Sequence, residues 1–213
     1  MKRPQSGLHR TRIALPLCAG ILAGPFLPSH ALAIELSAGQ FTFSDELGGF
    51  RLLSASGAGT PVDPIVVVEE VDEAAPITLV VRRPSGRLPA GSSFLALTLE
   101  KVVVNRSGRV WAGFEIELQE VLKRPSVYMD GLSFNQLAAR RPDVSSDSFA
   151  ENNRLFEPYD RIRFQTGFVD PDATARFRMT ITDPTPDLEF YIVQDPQLLS
   201  AGLPFKFPWL AAR

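Results

Sequence analysis

The chain has 213 residues, with 22 basic and 24 acidic side chains but only two histidines and one cysteine. His9, Cys18 and His30 all lie within the first 33 residues. A chain that loses this segment has neither an imidazole base nor a thiolate nucleophile, and it lacks the nitrogen and sulfur ligands that zinc prefers. Histidine- and cysteine-dependent catalysis is therefore excluded for residues 34–213.

The first 33 residues have the three parts of a secretory signal. Residues 1–12 carry four basic side chains and no acid, residues 13–27 are apolar, and the segment ends on the small residues of an Ala-Leu-Ala cleavage site. The apolar run is shorter than the roughly 20 residues that a transmembrane helix requires. We expect cleavage after Ala33, export to the periplasm or the extracellular space, and no transmembrane segment in residues 34–213.

Cleavage changes the charge of the chain. Removing four of the 22 basic residues leaves 18 against 24 acidic ones, a net charge of −6. This acidic balance argues against nucleic acid or an anionic membrane surface as the main partner. Residues 34–213 have the length of one domain, which must fold without disulfides.

The pattern of these residues predicts about ten strands separated by turns. In chain order they are residues 34–43, 50–53, 65–71, 77–82, 94–105, 110–120, 126–128, 162–168, 174–182 and 188–194. Many short strands at regular spacing are typical of an antiparallel β-sandwich. We predict one all-β sandwich domain, of jelly-roll or immunoglobulin-like type.

Two of these strands have informative patterns. In residues 94–105 the alternation of leucines breaks at Lys101, which predicts a β-bulge or a crossing between sheets. Residues 110–120 alternate with a period of two, as in a half-buried antiparallel strand. One face carries Val110, Ala112, Phe114, Ile116 and Leu118, and the other carries Trp111, Gly113, Glu115 and Glu117.

A connection of about 30 residues, 129–161, departs from the strand pattern, and long connections in compact domains are often functional. Its Ser-Phe-Asn-Gln sequence at residues 133–136 resembles a capping box, which predicts a short helix up to Arg141, before Pro142. The connection is either a functional excursion or a flap packed over one end of the sandwich.

The sequence Glu-Ile-Glu-Leu-Gln-Glu at residues 115–120 resembles the catalytic strand of laminarinase-type retaining β-glucanases. The resemblance implies that Glu115 is the nucleophile, that Glu117 tunes it and that Glu120 is the acid and base. Such retaining chemistry places two carboxyl groups about 5 Å apart. The alternative is a solvated polar face on an amphipathic strand.

An outward Trp111 beside these carboxylates suggests a surface that stacks on a sugar ring or anchors a partner. We predict a ligand-binding set of Trp111, Glu115, Glu117, Tyr128 and Tyr159; the alternative is that a loop or the terminal segment covers Trp111. We predict no resident cofactor or metal. Calcium, which needs only oxygen ligands, remains available to acidic residues within 130–160 and at Asp170, Asp172, Asp183 and Asp187.

The sequence Asn-Arg-Ser-Gly-Arg-Val-Trp at residues 105–111 resembles an N-x-[ST]-G-x-x-W strand-turn-strand motif of uncharacterised secreted all-β bacterial proteins. The resemblance implies an extracytoplasmic β domain and no catalytic assignment. We therefore expect a secreted or periplasmic, non-enzymatic binding or structural module whose partner is an envelope protein or a glycan. The alternative is a glycan hydrolase that uses Glu115 and Glu120.

Signal cleavage gives the first testable prediction. The exported protein should have an intact mass that corresponds to a chain beginning at Ile34, because the peptidase cuts after the small residue of an A-x-A site. Exported material that retains residues 1–33 would contradict the prediction.

Overall fold

The computed structural model describes residues 32–83, 94–127, 129–135, 144–154 and 158–199, and within them it contains thirteen strands and no helix. The prediction of an all-β chain is confirmed. The strands are β1 (Glu35–Ala38), β2 (Phe41–Ser44), β3 (Phe50–Ser56), β4 (Ile65–Val71), β5 (Ile77–Arg82), β6 (Leu95–Asn105), β7 (Trp111–Gln119), β8 (Ser133–Phe134), β9 (Ser145–Ser146), β10 (Phe149–Asn153), β11 (Arg161–Gly167), β12 (Thr174–Asp183) and β13 (Glu189–Leu198).

The strands form two sheets. The first has the order β1-β2-β5-β13-β7-β11-β10, and the second has the order β3-β4-β6-β12-β8, with β9 also paired to β12. All strand pairs are antiparallel except β4 with β6, which is parallel. The number of strands exceeds ten partly because the predicted strand over residues 34–43 is a hairpin, β1 and β2, which turns at Gly39 with a φ of 56°.

The two sheets share one apolar core. Phe114 of the first sheet stacks on Phe177 of the second with ring centroids 4.6 Å apart, and Phe164 packs on Phe177 at 4.9 Å. Strand β6 contributes a row of inward side chains because alternate residues of a strand point to one face. The buried row of β6 consists of Leu95, Leu97, Leu99, Lys101, Val103 and Asn105.

The prediction of an irregularity at Lys101 is wrong. The register of β6 with β12 runs without a shift from Leu95 opposite Asp183 to Val104 opposite Thr174. Lys101 instead keeps its inward position, and its fully buried Nζ donates to Oε2 of the fully buried Glu69 of β4 at 2.8 Å. Alternation therefore continues through a charged residue, because the charge has a partner inside the core.

Burial and pairing act on Lys101 in opposite directions. Burial lowers the pKa of its ammonium, while the charge of Glu69 and the hydrogen bond to it raise the pKa, and the net shift is downward. The second carboxylate oxygen of Glu69, Oε1, is buried and has no hydrogen-bond partner among the described residues. Each of these two buried charges thus depends on the other for its neutralisation.

The predicted helix in the 129–161 connection is not found where the structure describes that connection. Ser133 and Phe134 form β8 and pair with β12, with Phe134 opposite Ile181; residues 136–143 lie outside the described ranges. The side chain of Phe134 is buried in the core, and core burial overrides the capping-box pattern. In the described ranges no helix has the length and apolarity to span a bilayer.

The core ion pair makes a prediction about stability. Lys101→Met should lower the free energy of unfolding by about 3–5 kcal/mol, because it leaves the Glu69 carboxylate buried without a cation. The double variant Lys101→Met/Glu69→Leu should equal the wild type or exceed it by about 1–4 kcal/mol, because no buried charge remains. Urea unfolding measures both values.

Arg51→Met is the matched control, because Arg51 pairs with Glu70 on the outer face of β4 and is mostly exposed. It should cost no more than about 1 kcal/mol. A double variant as unstable as Lys101→Met would contradict the prediction.

Candidate functional site

Trp111 does not lie on the outer face with Glu115 and Glu117, and the prediction that it does is wrong. The register between β7 and β13 shifts between Gln197 and Leu198, so that Gln197 is opposite Gly113 and Leu198 is opposite Trp111. A shift of one residue turns the following side chain to the other face of the sheet. The indole is therefore fully buried, with its ring centroid 5.4 Å from that of Phe114.

The Asn-x-Ser-Gly-x-x-Trp motif holds this indole in place. Trp111 Nε1 donates to Ser107 Oγ at 3.0 Å, and Ser107 Oγ donates to Asn105 Oδ1 at 2.7 Å. The buried Asn105 amide in turn donates to the carbonyl oxygens of Arg109 and Val169. The motif residues therefore form a hydrogen-bonded hairpin lock, and the tryptophan is part of the core rather than a ligand platform.

Glu115 and Glu117 lie on the outer face of the first sheet, opposite two arginines of β11. Arg163 is directly opposite Glu115, and Arg161 is directly opposite Glu117. Arg163 Nη2 lies 2.8 Å from Glu115 Oε2, and Arg161 Nε lies 3.1 Å from Glu115 Oε1. Arg161 also contacts Glu117, so that one guanidinium links both carboxylates.

Neighbouring side chains complete this charge ladder. Gln119 Nε2 donates to Glu117 Oε1 at 2.7 Å, while Asp195 of β13 is directly opposite Glu115. Burial raises the pKa of Asp195, and the charge of Glu115 raises it further, against the lowering effects of Gln197, Arg161 and Arg163. Both glutamates are 8% exposed. Their carboxylates are thus occupied by arginines rather than presented to a cleft.

Glu120 belongs to a different group of charges. Burial raises its pKa, and so do the charges of Asp130, Asp187 and Asp183, while Arg124 lowers it. The leading charges on Glu120 are therefore those of this group, whereas Glu115 is paired with Arg161 and Arg163. We call the set of Glu120, Asp130, Asp160, Asp183 and Asp187 the acidic end.

The acidic end is built from three connections. Glu120 and Asp130 follow β7, Asp160 precedes β11, Asp183 is the last residue of β12, and Asp187 lies between β12 and β13. Burial is the largest cause that raises the pKa of Asp160, to about 7, and the charge of Asp130 adds to it. Burial also raises the pKa of Asp183, again with a contribution from Asp130. The carboxylates therefore repel one another.

Exposed apolar side chains accompany the acidic end in sequence. The side chain next to each of Glu120, Asp130, Asp160 and Asp187 is a large, exposed hydrophobic one; these four neighbours are Val121 (45% exposed), Met129 (92%), Tyr159 (46%) and Leu188 (58%). Tyr159 forms an isolated backbone bridge with Val127, which fixes its position. Tyr128, the other predicted aromatic of the ligand set, lies outside the described residues.

Sequence reasoning singled out Tyr159 and named several of the acidic residues separately, but it missed Val121, Met129 and Leu188 and the grouping of these residues. The sequence pattern that marks this surface is an acidic residue beside a large apolar one in a connecting segment, and the pattern recurs in all three connections. Single examples are common on protein surfaces. Only the fold brings the three connections together, because they are far apart in the chain.

Other features of the described residues are less suited to binding. In those ranges no group of three or more histidine, cysteine or carboxylate side chains is arranged to hold a metal ion. A shallow pocket of about 260 Å³ on the second sheet has acidic and basic side chains that pair with one another, such as Arg176 with Glu100 at 3.0 Å. Its lining residues are Glu100, Ser145, Ser146, Asp147, Arg176 and Arg178.

Comparison with known proteins adds no homologue: no protein-family profile matches this chain, nor does any curated protein or solved structure. The functional argument therefore depends on the geometry of its own residues.

The charge ladder predicts the effect of removing its shared arginine. Arg161→Met should lower the free energy of unfolding by about 1–3 kcal/mol, because two nearly buried carboxylates lose a hydrogen-bonded cation. Thermal or urea unfolding measures this loss.

Arg176→Met is the control, since Arg176 pairs with Glu100 but is 54% exposed, and it should cost at most about 1 kcal/mol. Equal losses in the two variants would mean that the ladder is an ordinary surface feature.

Proposed function

We propose that this protein is a secreted or periplasmic, non-enzymatic β-sandwich that binds a protein partner of the cell envelope through its acidic end. The observation that carries the proposal is the combination of five clustered carboxylates with four exposed apolar side chains on three neighbouring connections. Loops at the end of a sheet scaffold are common sites of recognition. Exposed apolar groups rimmed by polar ones are typical of an interaction surface.

The charge of the acidic end indicates the chemistry of its partner. Arg83, Arg124 and Arg154 each act on one of its carboxylates, and each of those three carboxylates is also acted on by at least one other acid. A basic segment would neutralise acidic charge at this end and would associate faster at low salt. Met129 and Tyr159 would contact the apolar side chains of the same segment, since methionine and tyrosine are enriched at interfaces. The partner we propose is a basic, amphipathic protein segment.

Two observations favour binding over hydrolysis of a glycan. The carboxylate that the β-glucanase resemblance names as nucleophile, Glu115, contacts Arg161 and Arg163, and the named acid, Glu120, is among the carboxylates of the acidic end. The tryptophan that would stack on a sugar is buried. The N-terminal secretion signal supports export, and the two sheets with a shared core support a sandwich, in which a jelly-roll or immunoglobulin-like connectivity is our working assignment.

The proposal is tested with residues 34–213 on an array of basic amphipathic peptides and on a glycan array, each with and without calcium. We expect salt-sensitive binding to basic peptides. Tyr159→Ala and Met129→Ser should each weaken this binding about tenfold, since a central interface side chain contributes more than about 1 kcal/mol. Val62→Ser is the matched control, because Val62 is as exposed as Met129 but lies between β3 and β4.

Three outcomes would overturn the proposal. Binding that Val62→Ser weakens as much as Tyr159→Ala would place the surface elsewhere. Absence of binding to basic peptides would refute the partner chemistry. Hydrolysis of an arrayed glycan that Glu115→Gln and Glu120→Gln both abolish would instead establish the glycan hydrolase.

A further inference from the structure

Two carboxylate oxygens at the acidic end are buried without a hydrogen-bond donor. Asp130 Oδ1 and Asp160 Oδ2 have no hydrogen-bond partner among the described residues. The other Asp130 oxygen, Oδ2, accepts the N–H of Val127 at 2.9 Å, and a backbone hydrogen bond from Phe134 reaches Asp160. A buried acceptor without a donor is costly. Each of these two aspartates therefore has one buried oxygen without a donor.

The two aspartates belong to segments that are joined by backbone hydrogen bonds. The N–H of Asp160 donates to the carbonyl of Ser126 at 3.0 Å, and the N–H of Leu118 donates to the carbonyl of Asp160 at 3.0 Å. Val127 and Tyr159 form the adjacent backbone bridge. We call this junction of residues 118–130 with residues 158–160 the seam.

The charges that face the two aspartates come from every connection that packs there. Arg154, from the segment before β11, faces Asp160 together with Asp130. The charge of Asp130 also acts on Glu120, after β7, and on Asp183, at the end of β12. The remaining charges of the acidic end are Asp187, Arg83 and Arg124, which act on Glu120 or Asp183. Repulsion among acids therefore dominates around the seam.

We propose that Asp160 carries a proton, which closes the seam when it is bound and loosens it when it is lost. Protonation removes the charge of a carboxyl group whose buried Oδ2 has no donor, and with it the repulsion from the charge of Asp130. Loss of the proton restores the repulsion across a junction that is fastened by backbone hydrogen bonds. The protein then has a pH-sensitive latch beside its exposed apolar side chains, whatever partner binds there.

The direction of the effect follows from proton linkage. Burial first and the charge of Asp130 second raise the pKa of Asp160 to about 7, whereas an aspartate in an open segment titrates near its ordinary value of about 4. Between these two values the closed seam holds a proton that the open seam has lost. The stability of the seam therefore falls as the pH rises from about 4 to above 7.

The first test is a carboxyl ¹³C NMR titration of residues 34–213, which requires no variant. We expect the resonance of Asp160 to titrate with a midpoint about 3 pH units above an ordinary aspartate. A midpoint of Asp160 near 4 would overturn the proposal. Calcium binding at pH 6 that abolishes this titration would also overturn it, since the oxygens would then serve a cation.

The second test is hydrogen exchange at the amides of Leu118, Ser126 and Asp160, corrected for the intrinsic rates. Between pH 6 and pH 8.5 the protection of these amides should fall on the order of tenfold in the wild type, which is the ratio that linkage gives for a pKa of about 7 in the closed seam and about 4 in the open one. Asp160→Asn should retain high protection at both pH values, because its amide donates a hydrogen without titrating.

Asp63→Asn is the matched control, since Asp63 is an exposed aspartate between β3 and β4. It should leave the change of about tenfold intact. A pH response that persists in Asp160→Asn, or protection that does not change with pH in the wild type, would overturn the proposal.

Discussion

The unbroken alternation of β6 is the constraint on which the rest of the structure depends. This strand pairs with β4 on one side and with β12 on the other, and both registers run without a shift. Its inward row therefore has to be accommodated in the core at every second position, even where the residue is Lys101 or Asn105. Lys101 is accommodated by Glu69 on the parallel neighbour, and Asn105 is accommodated by the hairpin lock that buries Trp111.

The sequence predicted most of the strands, because their period of two is set by local geometry alone. It mispredicted the positions where tertiary pairing decides. Lys101 looked like a break in the pattern, since its partner Glu69 is 32 residues away in the chain. Trp111 looked like an outward residue, since the shift that turns it inward depends on the register with β13, a strand that comes much later in the chain. A prediction made from the residues of a single strand includes neither of these partners.

The same distinction explains why the candidate site was predicted only in part. Glu115, Glu117 and Tyr159 were identified as polar or aromatic residues at plausible positions, but their roles depend on what lies beside them. Arg161 and Arg163 occupy the two glutamates, because the β7–β11 register places an arginine opposite each one. The acidic end brings together three connections whose order in the chain gives no indication that they meet.

The contrast between two sets of carboxylates indicates where this protein's specific chemistry lies. On the outer face of the first sheet, Glu115 and Glu117 have arginine partners, as expected of groups whose task is to hold strands together. At the acidic end, Asp130 and Asp160 each keep a buried oxygen that lacks a donor. Native structures contain few such groups, and violations of local consistency concentrate at functional sites. Glu69 in the core also keeps an oxygen without a donor, but its charge is neutralised by Lys101. Asp130 and Asp160 instead act on each other as like charges and are next in the chain to the exposed Met129 and Tyr159, and for this reason we place the proposed binding and pH response at that end.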